Sequence, residues 1–570
     1  MIIKRIILAA TLCLFILQPA KTQTLAWDNW GIHLKKIDVN PSGFININSF
    51  DVDSKGNTYI VGSYRFSSIV IGKDTLKYNP SDNANPLFMV KVSNTRQVLW
   101  AKPISKGSRD AILKIDKNNV IHYVYRGNFI VQVVNYAQYD TSGALINERN
   151  MVTRNDASGG YDIVLHDLVV DANNNYYTLF TYGGTINSNL NFEDSTTLNT
   201  ELSATTDLKN MIILKYNSEN KLIWKKVSKI DQNIRKSHLA IDNKQNVIVS
   251  GTYLKRLIVD DVKVEIPNDN TTDFYVFKLD SLGQLKWLKS YGNPVSDELS
   301  NKAVTDKNQN IFVVGTLGYG NFKFDSKSVN DVVNDPFILQ LNENGITSNI
   351  INIPINDAFS AGRDVQVDTS GNIVLLGEYS KIGTIGTTNL PPLNLSFGNS
   401  FFISVLNKNF QIKSTITTTG TNDLLFVRDG RIQLIGNKVY MTGMFTNYVQ
   451  LGNTQLKEIF TQNCSNCYDG FMTSFSVNST SKLGDFTTNN GDNFLDIYPN
   501  PSTGHLFIKN RTQDKDLSFD IKVFDLMGRL IKKAKYNSSN PLELDLEKGY
   551  YTIYWYNEYI RGSRAIIIAH

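Results

Sequence analysis

The sequence predicts an all-β chain: a seven-bladed β-propeller of four-stranded antiparallel blades, followed by a small Ig-like β-sandwich. Three observations predict it. An Asp-x-x-x-Asn turn recurs with its Asp at 53, 171, 242, 306 and 368, and a looser copy stands at Asp116. A strand led by aromatic or β-branched residues follows each turn by about 25 to 35 positions. From residue 494 onward the pattern changes to denser, shorter strands with new turn residues.

Composition bounds the function classes. Of 570 residues, 41% are hydrophobic, 11% aromatic and only 19% charged, which fits a β-rich globular chain and excludes wholesale disorder. The formal charge is +5. Loss of Lys4, Arg5 and Lys21 with the first 22 residues would leave +2, and no basic run follows, so nucleic acid is not an expected partner.

The chain opens on Met1, Lys4 and Arg5, then runs apolar from Ile6 to Leu17 and meets small residues at Ala20 and Thr22. This is the pattern of a signal peptide over 1–22 with cleavage before Gln23. An apolar run of 12 residues is too short to span a bilayer, which needs about 20, and no later run supplies a transmembrane segment. Cys13 lies inside that stretch after Leu12, which does not fit acylation.

Residues 23–480 carry the repeat. Asp and Asn bond their own backbone and tolerate left-handed conformations, so each Asp-x-x-x-Asn segment reads as a tight hairpin turn. Glycine recurs nine positions after the Asp at Gly62, Gly251, Gly315 and Gly377. A seventh copy, Gly436 to Gly443, lacks the Asp. The later strands begin at Phe88, Ile212, Phe274, Phe337, Phe401 and Phe471, and a fourth strand often carries Trp, as at Trp100, Trp224 and Trp287. Four strands in about 63 residues are too few for an independent sandwich of about 100. They suit a blade that buries its faces against its neighbours in a ring. The strand near Trp27 has no blade before it, while the last blade lacks a strong fourth strand. The N-terminal strand is therefore expected to complete the last blade and close the ring. In this pattern the chain resembles bacterial β-propeller repeat proteins.

Ser, Thr, Asn and Gly then dominate a linker, 481–493. Residues 494–570 follow with Pro499-Asn500-Pro501 and Gly504, an Asp525 and Gly528 hairpin, and a Gly549-x-Tyr551 strand, about seven short strands in all. These landmarks, in this order, resemble the type A C-terminal sorting domain of the type IX secretion system of Bacteroidetes. The last strand departs from that pattern, with Arg564 and His570 where lysine is more common. The resemblance implies passage through the periplasm, recognition of residues 494–570 by the type IX machinery, and release or attachment at the cell surface. Removal of 494–570 should then leave the ring folded but trapped in the periplasm.

Cys464 and Cys467 form a Cys-x-x-Cys pair in a Gly- and Asn-rich loop. In an exported chain a small disulfide is the expected state. Redox catalysis would want the pair opening a helix, and zinc would want two further ligands.

Ligands of propellers collect where the loops entering the innermost strands converge. The position four before each hairpin Asp holds Ser49, Ile112, Asp167, His238, Lys302 and Asp364, with His166 and Arg363 adjacent. The ligand-binding candidates are therefore His166, Asp167, His238, Lys302, Arg363 and Asp364. No catalytic constellation, metal set or cofactor fingerprint stands out. Asp51-x-Asp53 with Gly56 and Asn57 holds part of a calcium loop without its bidentate Glu, and turn formation accounts for those residues. The Asp turns also lack the closing Trp of sialidase repeats. The expected function is a surface or secreted binding platform for a glycan or envelope protein. The alternatives are a polysaccharide hydrolase or lyase using channel-mouth carboxylates, and a structural part of surface or gliding machinery.

Overall fold

In the computed structural model the described residues are 22–37, 43–79, 86–104, 110–127, 133–154, 163–183, 189–199, 208–231, 237–266, 271–331, 334–355, 360–380, 383–391, 399–419, 427–458, 468–480, 495–498, 500, 502, 505–510, 518–525, 529–537, 542–556 and 561–569. The expected linker, the signal peptide up to residue 21, Cys464, Cys467, Pro499, Pro501, Gly504 and Gly528 lie outside them. The chain divides into a large unit, Leu25–Val477, and a small one containing Asn478–His570.

Among the described residues the large unit contains seven antiparallel sheets of four or more strands, four of them four-stranded and three extended to six or seven. Their first strands are Phe44–Val52, Ala111–Ile115, Ile163–Val170, His238–Ile241, Leu299–Thr305, Ala361–Val367 and Val427–Ile435, numbered here sheets 1 to 7. Each first strand neighbours the next, and the seventh neighbours the first, which makes a closed propeller. The apolar core is correspondingly divided among the sheet interfaces. One cluster joins Val61 and Met89 of sheet 1 to Leu113 and Tyr123 of sheet 2. Another joins Ile60 and Val90 of sheet 1 to Tyr440 and Met472 of sheet 7, closing the circle. Second strands such as Ile311–Leu317 are buried at every position because a sheet lies against each face. Fourth strands such as Leu285–Tyr291 are only partly covered.

The recurring residues have local causes. Asp306 Oδ1 accepts the N–H groups of Asn308 (2.8 Å) and Asn310 (2.9 Å), and its Oδ2 accepts Asn310 Nδ2 (2.8 Å). Asp53, Asp171, Asp242 and Asp368 repeat this arrangement, so their carboxylates are spent on the turn. Among the described residues no group of three or more His, Cys, Asp or Glu gathers to hold a metal. The glycine of the second strand answers to sterics. A Cβ at Gly315 would stand 1.7 Å from the Leu299 carbonyl oxygen and 2.9 Å from the Phe337 ring, so only hydrogen fits.

Lysine on the third strand and tryptophan on the fourth are cross-strand partners, Lys215 with Trp224 and Lys278 with Trp287. They act on the following sheet. Lys215 Nζ (3.0 Å) and Trp224 Nε1 (3.0 Å) both donate to the Ser281 carbonyl of the next sheet's turn, and the indole lies over Gly283. Lys278 (3.3 Å) and Trp287 (3.2 Å) grip Glu343 O in the same way. This couples each of these sheets to its neighbour through a fixed carbonyl.

Sheet 7 takes its outer positions from the N-terminus. Both Thr22–Trp27 and Ile32–Lys36 pair with Asp469–Thr480. Trp30 Nε1 donates to Ser474 Oγ (2.8 Å), His33 Nε2 meets Asp469 Oδ2 (2.7 Å), and buried Lys36 Nζ meets buried Glu458 Oε1 (2.6 Å). A hairpin that follows the second strand of sheet 1 in the chain, Ile69–Ile71 with Asp74–Leu76, pairs onto Ile32–Lys36 and extends sheet 7 over that edge.

The small unit has two sheets. One holds Leu495–Tyr498, His505–Asn510 and Leu542–Asp545; the other holds Leu530–Asn537, Ser518–Asp525, Gly549–Tyr556 and Arg561–Ile568. They share a core built on Ile508, Phe519, Val523, Ile553, Trp555 and Ile566. The expected landmarks have structural work here. Asn500 Oδ1 accepts the Ile567 N–H (3.0 Å) and so pins the last strand. Asp525 Oδ1 accepts the Arg529 N–H (2.9 Å), and Gly549 leaves room for the Tyr551 ring.

Candidate functional site

The first strand of each sheet enters from one face of the ring and ends on the other at a hairpin turn, an Asp turn in every sheet but the seventh. Most of these strands carry a bulge near their entry, with register shifts between Ile47 and Ser49, Leu165 and Asp167, Ser300 and Lys302, Gly362 and Asp364, and Arg428 and Arg431. A bulge swings the following side chain. Ser49, Ile112, Asp167, His238, Lys302, Asp364 and Arg431 consequently stand at one shared register, each opposite the fourth or fifth residue of its second strand. Six of them were expected from the count back from the hairpin Asp. The seventh, Arg431, escapes that count because its turn, Gly436-Asn437, has no Asp and is shorter. Counting from the glycine misses it by one, since thirteen positions separate Lys302 from Gly315 but twelve separate Arg431 from Gly443.

Asp167 and Asp364 join adjacent sheets. Asp167 accepts the N–H of Leu168 (2.9 Å) with one oxygen and that of Leu239 in sheet 4 (3.0 Å) with the other. Asp364 does the same with Val365 (2.8 Å) and Ile432 of sheet 7 (2.9 Å). Asp51 repeats the device between sheets 1 and 2, with Val52 (2.9 Å) and Ile115 (2.9 Å). Lys302 Nζ reaches Asp167 Oδ2 (3.3 Å) from two sheets away, so an ion pair crosses the channel at this level, and His238 Nδ1 lies 3.5 Å from the same oxygen.

These contacts set the protonation states. Burial would raise Asp167, but the Lys302 charge and His238 outweigh it and hold the carboxyl well below the usual range. Burial pushes the His238 imidazole down to about 4; Asp167 opposes the shift while Lys302 and Arg431 add to it. Burial raises Asp364 despite Lys302 and the Ile432 N–H. Glu378 is raised by burial too, against the pull of Arg363, whose Nη2 donates to its Oε2 (2.7 Å). Asn399 Nδ2 donates to that same oxygen (3.2 Å).

Two cavities open on the entry face, of about 570 and 790 Å³, and they share Arg363, Glu378 and Asn399 on their walls. The smaller is lined further by His238, Lys302, Asp364, Arg428, Arg431 and Tyr468. The larger adds Thr252, Thr272, Ser296, Thr316 and Ser360 from sheets 4 to 6. The structure thus brings together His238, Lys302, Arg363 and Asp364 on the cavity wall, with Asp167 behind Lys302. His166 lies elsewhere. Its Nε2 meets Thr181 Oγ1 (3.0 Å) and its Nδ1 accepts the Ser237 N–H (3.0 Å), so it is buried between sheets 3 and 4 and does not line either cavity. Arg428, Arg431, Tyr468 and Glu378 were not anticipated, because they sit outside the phase of the Asp-based count.

Residues 496–569 match the family of secretion system C-terminal sorting domains. The chain is accordingly a type IX secretion substrate, exported to the cell surface or the medium, with a propeller ahead of its sorting domain. Among the described residues no helix is long and apolar enough to cross a membrane. No curated protein matches the chain. Solved structures that it resembles include a PL25 polysaccharide lyase, an ulvan lyase, at 11% identity and TM-score 0.36 over 74% of this chain and 93% of that one. A DUF4221 member from Bacteroides vulgatus matches at 11% identity and TM-score 0.32 over 80% and 99%. A protein of unknown function from Dyadobacter fermentans matches at 9% identity and TM-score 0.30 over 81% and 100%.

Proposed function

We propose that the exported ring is a binding platform that holds a polar ligand, a glycan or an envelope protein segment, on its entry face over sheets 4 to 7 without cleaving it. The carrying observation is the commitment of the carboxylates. Asp364 has both oxygens on backbone N–H groups, and so does Asp167 behind it, while Glu378 is held by Arg363 and Asn399. Acid and base work on a glycosidic bond needs two carboxylates free to exchange protons, about 5 to 9 Å apart. Here Asp429 is the lining carboxylate with no hydrogen bond or ion pair among the described residues. Threonine, serine, asparagine and arginine around it supply the donors and acceptors that fix a polar ligand in place.

A hydrolase is the second reading, because burial raises Glu378 and Asp429 adds to that shift, as a proton-donating pair would require. One assay separates the two. The purified full chain is applied to immobilised neutral and acidic polysaccharides and to envelope fractions, and the eluted ligand is sized. Saturable retention with full-length ligand is expected; shortened saccharides would establish cleavage instead.

A further inference from the structure

We infer that the group held in the smaller cavity is an anion, a carboxylate or a sulfate on the ligand, seated by Arg431 and Arg428 with Lys302 beside them. This rests on the cavity being the ligand site and adds to it the ligand's charge.

Arg363 is matched by Glu378 at 2.7 Å and Lys302 by Asp167 at 3.3 Å. Arg431 has no ion pair among the described residues, and its Nε is buried without a hydrogen-bond partner. Arg428 meets only Tyr468, with Nη1 3.5 Å from the hydroxyl and the guanidinium 5.4 Å from the ring centre. Neither arginine finds a carboxylate within 4.0 Å among the described residues, although both line the cavity with Asp364 and Asp429. Asp364 is turned to its two backbone donors and is not aimed at either guanidinium.

Arg431 is half-buried and Arg428 exposed, and Asp364, Asp429 and Glu378 act on them only through space, so a ligand anion would be the first group to pair either guanidinium directly. The flanking backbone is built to present it. Arg428 and Arg431 stand on either side of the sheet 7 bulge, where Asp429 has a φ of 51°. Gly430 lets the strand lie against Phe401, since a Cβ there would come within 2.5 Å of that ring. Two planar forks and a nearby ammonium match the paired oxygens of a carboxylate or the three of a sulfate ester.

Titration calorimetry of the full chain tests this with three polymers: polygalacturonate, which carries carboxylates; dextran sulfate, which carries sulfates; and neutral dextran. Binding of polygalacturonate, dextran sulfate or both is expected, the pattern telling carboxylate from sulfate, with dextran at least about tenfold weaker. Arg431→Gln and Arg428→Gln should each weaken the anionic polymer about tenfold or more. Arg431→Gln should melt about as the native chain does, since the side chain is half-buried and has no ion pair among the described residues to lose. Dextran binding as tightly as the anions would overturn the inference while leaving a binding platform standing. Anion binding untouched by both substitutions would overturn it too, as would the absence of any binding, which would also count against the platform.

Discussion

Buried titratable residues around the entry face make opposing demands on pH. His238, held neutral with its pKa near 4, lies below the ordinary 6.5. The unfolded chain therefore takes up a proton that the folded one refuses between those values. The His238 contribution is fully present above pH 6.5 and is lost as pH falls toward 4. Glu298 is the reverse. It is fully buried, receives Ser296 Oγ (2.5 Å) and the Asn293 N–H (3.2 Å), and is pushed up to about 8 chiefly by burial. Its contribution is complete below the ordinary carboxyl value of 4.5 and is lost as pH rises through 8. Glu298→Gln should accordingly raise stability at pH 8 by about 1 to 3 kcal/mol and change it little at pH 4, read by thermal unfolding at both pH values. A native and variant chain with parallel pH profiles would rule this out. Such environments were not legible in the sequence: Glu298 is one acid among many until Ser296 and Asn293 fold over it, and Arg431 hid behind a turn that lacks its Asp. The shared register of Lys302, Asp364 and His238, in contrast, followed from the hairpin spacing alone.

At the level of strands and turns, two features read in the sequence as punctuation prove to be couplings. Tryptophan at 224 and 287 marked a fourth strand; its use is to stack on the turn of the next sheet and donate to that turn's carbonyl. The partner residue lies 57 positions away for Trp224 and Ser281, too remote for pattern reading to pair them. Trp224→Ala should cost about 3 to 5 kcal/mol, as for other large aromatic truncations, and Gly283→Ala, whose φ is +82° and whose Cβ would lie 3.1 Å from the indole, about 1 to 3. Denaturant unfolding of each checks the order. If Gly315→Ala proved harmless, the account of the second-strand glycine would fail, given the 1.7 Å approach of the Leu299 oxygen.

Across the whole ring, stability comes from interfaces that each need both neighbours, so one missing strand is felt beyond its own sheet. The N-terminal strands supply the outer edge of sheet 7 and carry Trp30, His33 and Lys36 into polar contacts with Ser474, Asp469 and Glu458. Removal of residues 22–37 should lower the melting temperature by more than any single substitution above and expose sheet 7 to proteolysis first. Seven sheets and closure by the N-terminus could be expected from the repeat, because a wedge with four strands is unstable alone. Which sheets would carry the cavities could not, since that depends on side chains in loops of unequal length. The sorting domain itself was legible, since residues 496–569 match that family, and removal of 494–570 should retain the chain inside the cell, as immunoblotting of cell and medium fractions would reveal.

The central claim is that the ring receives its ligand on the face where Lys302, Arg363 and Arg431 converge. Hydrogen–deuterium exchange of the full chain with and without polygalacturonate tests it most directly. The account predicts slowed exchange in 296–302, 360–364 and 427–432 with none at the Asp turns 306–310 and 368–372. Protection confined to those turns, where a cavity of about 390 Å³ lies between sheets 5 and 6, would contradict it.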